Sequence, residues 1–261
     1  MIELNKIYNE DCLQGMKKIP DGSVDMILCD LPYGTTACTW DTIIPFKPLW
    51  EQYERVIKDN GAIVLTASQP FTSALTMSNP DLFKYEWIWE KNRTVGFLNA
   101  KNAPLKKHES VLVFSKGTIA NGSKRRMNYF PQGLKVINKV KNSVKQNNDT
   151  VVGSRPSRDK PYIAKHSGYP NSILNFNNES KQLHPTQKPV ALFEYLVKTY
   201  TNKGDTVLDN CAGSFTTAVA CDNTNRNWIC MEKEEEYCNI GLTRINDNRE
   251  RLSLPLLDSI N

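Results

Sequence analysis

Short apolar runs alternate with helix-length stretches along most of this sequence, and three of the runs stop at a carboxylate. Val24–Cys29 is followed by Asp30, Thr206–Leu208 by Asp209, and Trp228–Met231 by Glu232. Brief apolar runs of this kind read as strands buried on both faces. Ala62–Leu65, after a break at Asn60–Gly61, Tyr85–Trp89 and Ser110–Phe114 read as further strands. Between them, Asp11–Lys18 reads as a short helix with Asp11 as its cap, and Pro48–Lys58 as a longer one. Pro189–Tyr200 sets Val190, Leu192, Phe193, Leu196 and Val197 on one helical face. Further helices start at Ser214 and span Glu234–Arg251. Strands interleaved with helices imply an α/β domain with a doubly wound, mostly parallel sheet. In such sheets ligands bind beyond the carboxyl ends of the strands, so the terminal acids are the first site candidates.

The 261 residues suit one large α/β domain, or one domain carrying a sizeable insertion, and 39% hydrophobic content is enough for its core. The apolar runs are far too short to cross a membrane, and the opening MIELNKIYNEDC lacks a signal core, so a cytoplasmic location is expected. Seven cysteines, odd in number and without CxxC spacing, read as reduced and mostly buried. With three histidines and no paired ligand spacing, no metal site is expected. The net charge of +5 is unevenly placed. Lys116 to His166 holds 12 Lys/Arg against 2 Asp, a local +10 that leaves −5 for the rest of the chain. From 117 to 181 the regular pattern gives way to Asn, Ser, Lys, Arg, Gly and Pro. A basic block on an acidic body fits a face that meets a polyanion, and equally a solvated loop.

Directly after the first strand comes Asp30-Leu31-Pro32-Tyr33-Gly34. It resembles the D/N/S-P-P-Y/F signature of DNA amino-methyltransferases, with Leu31 in place of the first proline. The resemblance implies that Asp30 accepts a hydrogen bond from the exocyclic amino group, with the Leu31 carbonyl as second acceptor. Pro32 belongs to the same catalytic motif, and Tyr33 stacks on a base drawn out of the duplex. Thr206-Val207-Leu208-Asp209-Asn210-Cys211-Ala212-Gly213-Ser214-Phe215-Thr216-Thr217 resembles the family's S-adenosylmethionine loop, D-P-F-x-G-S-G-T-T. A strand, a glycine turn and a helix start let backbone approach a ligand closely. By resemblance the cofactor-binding positions are Asp209, Asn210, Ala212, Gly213, Ser214, Thr216 and Thr217, with Asp209 near the cofactor's ammonium. Asn210, Cys211 and Phe215 depart from the pattern, and Phe215 replaces a glycine. It either narrows the pocket or points into the core.

Glu232 lies 23 residues beyond Asp209, close to the spacing of a ribose-binding acid. His184-Pro185-Thr186-Gln187-Lys188-Pro189 resembles the family's H-x-x-Q-K-P, in which Thr186 or Lys188 reaches the methionine end of the cofactor. Asn9-Glu10-Asp11-Cys12 resembles its G-D-C/A segment, placing Asp11 and Cys12 near the cofactor's adenine. Cys38 and Trp40 read as loop packing, since the Pro-Cys dipeptide of cytosine-C5 chemistry is absent.

The order of these motifs, catalytic first, then basic region, then cofactor loop, is that of the β-type DNA amino-methyltransferases. The resemblance spans nearly the whole chain. It implies a Rossmann-like methyltransferase fold with a basic insertion: a catalytic half at 1–117, a target-recognition insertion at 118–181 and a cofactor half at 182–261. Double-stranded DNA is the expected partner, contacted by Lys124, Arg125, Arg126, Tyr129, Lys135, Lys139, Arg155 and Arg158. Asp30 tilts the expected target to adenine N6 over cytosine N4. A DNA-binding protein with a degenerate cofactor pocket is the alternative, and a homodimer and a partner nuclease are left open.

Overall fold

A computed structural model describes residues 2–36, 38, 41–141, 161–179 and 187–261 of the chain. These divide into two compact units, Met1–Phe130 with Ser172–Asn261, and Pro131–Asn171.

The larger unit is built on eight strands: β1 (Lys6–Asn9), β2 (Val24–Cys29), β3 (Ile57–Ala67), β4 (Phe83–Val95), β5 (Lys106–Phe114), β8 (Ile173–Asn175), β9 (Thr206–Asp209) and β10 (Asn227–Glu232). Their order across the sheet is β1-β10-β9-β2-β3-β5-β4-β8. Within it, β5 pairs antiparallel with both β3 and β4. All six residues of β2 are buried; five are apolar, and the sixth, Asp25, is paired with Lys58 and accepts the Thr206 N–H.

Alternate side chains of the sheet enter two cores. Met26, Leu28, Ala62 and Val64 pack with α4 (Val190–Tyr200) and α5 (Thr216–Thr224). Ile27, Cys29, Ile63 and Leu65 pack with α1 (Cys12–Met16), α2 (Phe46–Val56) and α3 (Phe71–Ser78). The period of two along each strand thus divides one apolar sequence between two helix layers. The last helix, α6 (Glu235–Leu252), lays Cys238, Gly241 and Ile245 on the α5 side. All seven cysteines are free, and Cys12, Cys29, Cys221, Cys230 and Cys238 are buried.

The smaller unit holds an antiparallel pair, β6 (Lys135–Lys141) and β7 (Tyr162–Ser167). Every residue of β6 is exposed, Lys135 and Lys139 included. The irregular stretch expected from 117 to 181 therefore contains two strands of its own and donates β8 to the main sheet. The insertion drawn at 118–181 is wider than this unit, because residues up to Phe130 and from Ser172 pack with the core.

Two other boundaries move. Asn60–Gly61 is no break but part of β3, at the bulge where its register against β2 shifts. Gly61 is needed there because a Cβ would stand 2.8 Å from the Asp25 carbonyl oxygen. β1 has no counterpart in the sequence reading, since four residues flanked by polar ones carry too little pattern.

On either side of the β2–β9 pair the chain winds outward in opposite directions, through α2 to β3 and through α5 to β10. That switch point opens a crevice beyond the carboxyl ends of the two strands.

Candidate active site

The crevice is a cavity of about 630 Å³, within the range of small-molecule sites. The catalytic and cofactor positions singled out in the sequence all line it, except Thr217. β2 and β9 are hydrogen-bonded neighbours with Ile27 opposite Leu208, so Asp30 and the turn after Asp209 emerge side by side. β10 brings Glu232 in beyond β9, and β1 brings Asp11 and Cys12 in beyond β10.

Asp30 is held from three sides. The Tyr33 hydroxyl donates to Oδ1 at 2.7 Å, the Thr66 hydroxyl donates to the same oxygen, and Lys188 Nζ lies 2.6 Å from Oδ2. Tyr33 stacks on Phe71 with ring centroids 5.2 Å apart, and burial pushes its phenol well above the ordinary range. The sequence motif points Lys188 to the methionine end of the cofactor. In the structure the residue is 5% exposed and its ammonium sits between Asp30 and Glu109, with Glu109 Oε2 at 3.4 Å. Burial works against that charge, but Asp30 and then Glu109 outweigh it and hold the lysine above its usual value. Glu109 is in turn lowered despite burial by Lys188 and Lys91, and Lys91 donates to its Oε1.

The loop after the catalytic motif folds around Asp41. Its carboxylate accepts the backbone N–H groups of Gly34, Thr35 and Thr36, which outweigh burial and lower its pKa. Asp41, Thr66, Lys91 and Glu109 belong to none of the sequence motifs. A signal existed for two of them. Thr66 directly follows the run Ala62–Leu65, and Glu109 precedes Ser110–Phe114, a strand whose start lies at the crevice because β5 runs backwards.

On the cofactor side, both Glu232 oxygens accept backbone N–H groups, from Gly213 at 2.9 Å and Glu234 at 3.0 Å. These bonds fix the carboxylate and leave each oxygen a second lone pair. Burial raises the Glu232 pKa nonetheless. Asp11 caps α1 through the N–H of Gln14. Asp209 is buried, accepts from the Cys211 N–H and the Thr217 hydroxyl, and is pushed up to about 7 by burial. It braces the glycine turn, and Thr217 lies beneath the turn rather than on the cavity wall. Asn210 turns inward to accept the Tyr53 hydroxyl at 2.6 Å.

Phe215 points into the core. Its side chain is fully buried, with φ of 59° in the left-handed region where the family pattern has glycine. The ring lies over Gly241 of α6, where an added Cβ would come within 2.1 Å of it. The departure leaves the cavity open.

The structure does not bring the first basic cluster to the crevice. Lys124, Arg125 and Arg126 are exposed, and Asn128 N donates to Asn60 O near the start of β3. That is the opposite end of the strands, about 20 Å from Thr66 at roughly 3.3 Å per residue. Tyr129 packs on Tyr200, the last residue of α4. Exposed basic residues nearer the crevice are Arg93, near the end of β4, and Lys101, on the β4–β5 connection; the flanking Val95 of β4 and Lys106 of β5 line the cavity. Arg155, Arg158, Trp40, His184, Pro185 and Thr186 lie outside the described residues.

The model of a DNA methylase family, that of the N6 and N4 amino-methyltransferases, matches residues 24–243. The chain belongs to the N6/N4 DNA methylase family. Type II methyltransferase M.HpaI of Haemophilus parainfluenzae is 26% identical to this methylase over 254 residues, covering 92% of the chain and 74% of the relative. DNA adenine methyltransferase YhdJ of Escherichia coli (strain K12) is 27% identical over 263 residues, covering 94% and 83%. The crystal structure of the M1.HpyAVI–SAM complex shares 25% identity with a TM-score of 0.58 over 92% of this chain and 98% of that one. The cytosine-N4-specific PvuII DNA methyltransferase, at 16% identity and a TM-score of 0.66 over 97% and 94%, shares the methylase fold. Among the described residues no helix is long and apolar enough to cross a membrane.

Proposed function

We propose that the protein transfers a methyl group from S-adenosylmethionine to the exocyclic amino group of a base swung out of cytoplasmic double-stranded DNA, with adenine N6 as the target. The observation that carries this reading is the pairing of β2 with β9, which sets the Asp30 carboxylate beside the glycine turn at Gly213. Adenine is favoured over cytosine by Asp30 itself and by the adenine methyltransferase among the relatives.

The lone pair of an exocyclic amine is delocalised into its ring, so the nitrogen is a poor nucleophile. Asp30 accepts one of its N–H bonds and the Leu31 carbonyl the other, which favours a pyramidal nitrogen with a freed lone pair. Tyr33 and Thr66 fix the direction of the carboxylate, so the acceptor is already aimed when the base arrives. Pro32 stiffens the loop, and Tyr33 forms part of the wall against which the base rests.

The cavity suits the cofactor in size and donor set: an anchored carboxylate, a glycine turn and a helix start. S-adenosylmethionine, when bound, supplies a methyl group on a sulfonium as the electrophile. Glu232 offers its remaining lone pairs to the ribose hydroxyls, and Asp11 and Cys12 border the adenine. The turn Ala212–Ser214 and Thr216 at the start of α5 face the carboxylate end. Asn210 and Asp209 hold that turn from beneath. DNA approaches over the end of β4 and the β4–β5 connection, where Arg93 and Lys101 neutralise phosphates.

The test is a nucleoside digest of unmethylated DNA incubated with the protein and isotopically labelled cofactor. N6-methyldeoxyadenosine is expected, and N4-methyldeoxycytidine would move the target to cytosine. Asp30→Asn is expected to lower turnover by about 100-fold or more, with the cofactor dissociation constant within about threefold of wild type. Cofactor binding without any methylated nucleoside would refute the reading.

A further inference from the structure

We propose that Lys188 is a placeholder for the target amine, resting on Asp30 between turnovers and stepping to Glu109 when the base arrives. The proposal rests on the methyl-transfer reading above and deepens it. Oδ1 of Asp30 is taken by the hydroxyls of Tyr33 and Thr66, which leaves Oδ2 as the less crowded acceptor for an incoming N–H. Lys188 Nζ lies 2.6 Å from that oxygen. An ammonium at this distance is a stronger donor than a neutral amine, so the base must draw Oδ2 away from it.

The lysine cannot retreat into water, because its side chain is 6% exposed. It has a second place to go. Glu109 Oε2 lies 3.4 Å from the same Nζ and is buried without a hydrogen-bond donor among the described residues. The other oxygen of Glu109 is fixed by Lys91, so this carboxylate is held still with one acceptor waiting. A shift of under about 1 Å by Nζ brings it to ordinary hydrogen-bond distance from Oε2. A long, unbranched side chain makes that move by small changes in several torsions.

Such an arrangement answers two needs of the site. With no base present, a half-buried carboxylate would stand without a counter-charge, which is costly; Lys188 supplies it. With the base present, the same charge is drawn off Asp30 without leaving the site, and the carboxylate turns to the amine. Asp30 and Glu109, 79 residues apart in the sequence, share one ammonium between them.

The experiment compares single-turnover methylation and DNA KM for wild type, Glu109→Gln, Lys188→Gln and the double variant. Glu109→Gln removes the waiting carboxylate and leaves the ammonium on Asp30. It is expected to raise the DNA KM and lower the methylation rate, each by about tenfold. Adding Lys188→Gln removes the ammonium that had nowhere to go, so the double variant is expected to recover about fivefold or more over Glu109→Gln. If both residues only build the wall of the crevice, the losses accumulate and the double variant is the poorest of the four, which overturns the proposal. Cofactor binding and thermal melting of each variant report its folding. Should Glu109→Gln fold poorly, Glu109→Asp, which withdraws the acceptor but keeps the charge, takes its place in the same comparison. Wild type without methyl transfer refutes the activity itself. An active wild type with no recovery in the double variant refutes the placeholder alone.

Discussion

Phe215 and Gly241 are expected to be energetically coupled, and a double-mutant cycle measures the coupling. A Cβ on residue 241 would stand 2.1 Å from Cδ2 of Phe215, 2.6 Å from Cε2 and 2.7 Å from Cγ. Carbon atoms in contact normally lie about 3.5–4.0 Å apart, so Gly241→Ala forces the ring or the helix to shift. Overpacking of this kind costs about 1–3 kcal/mol. Alanine in a helix interior regains about 1 kcal/mol over glycine, so a net loss of about 2 kcal/mol is expected at the severe end of that range. Phe215→Gly removes a fully buried ring, at a cost of about 3–5 kcal/mol, and relieves a left-handed backbone worth about 1–2 kcal/mol. The net loss is about 1–4 kcal/mol. In the double variant the methyl group introduced on α6 enters the space the ring has left. The clash vanishes, and Gly241→Ala changes from destabilising to stabilising. The expected coupling is therefore about 3 kcal/mol, read from urea unfolding of the four proteins. Single-variant losses that add to within about 0.5 kcal/mol would mean that the ring does not cover Gly241, and the account of Phe215 would fall.

Glu232→Gln is expected to weaken S-adenosylmethionine binding by about tenfold or more, measured by calorimetry, since a charge-assisted bond contributes about 1.5–3 kcal/mol; an unchanged dissociation constant would move the ribose contact elsewhere. The folded-state pKa of Asp209, about 7, lies above its unfolded value, so its contribution to stability is full below about pH 4 and is lost as pH rises through 7. Asp209→Asn is expected to flatten the stability profile between about pH 5 and 7, by up to roughly 1.4 kcal/mol per pH unit; an unaltered slope in denaturant titrations would contradict the raised value. Charge reversal of Arg93 and Lys101 is expected to weaken DNA binding and to lower the log–log salt slope by about 0.9 for each phosphate no longer neutralised. Reversal of Lys124, Arg125 and Arg126 is expected to leave the slope nearer wild type, and the opposite ranking would put the DNA at the other end of the strands.

What can be read in the sequence follows from distance along the chain. Asp30, Asp209 and Glu232 are legible because each ends its own apolar run, and a strand's direction fixes where its last residue emerges. The short helix capped by Asp11 is legible for the same local reason. Contacts between distant segments are not. Nothing around Lys188 announces its contact with Asp30, 158 residues away. Lys124–Arg126 read as part of a DNA surface because charge density is visible in sequence, whereas the end of the strands they lie near is set by pairing at Asn60. Phe215 reads two ways because a turn's sequence does not show which way its side chain leaves. β6 and β7 are hidden by the composition of a largely exposed strand pair, which has no apolar period to display.

The placing of β1 at the edge of the sheet, against β10, has a consequence for biosynthesis. Among the described strands Lys6–Asn9 pairs with β10, made about 220 residues later in the chain, so it has no strand to seat on until Asn227–Glu232 exists. At roughly 5–20 residues per second, that interval lasts on the order of 10–40 seconds. Until then Asp11 and Cys12 hang from an unpaired segment, Glu232 is unmade, and the crevice lacks one side. A nascent chain therefore carries the loop after β2 before the β1 and β10 sides of the crevice exist, and the crevice is complete only when these two strands meet.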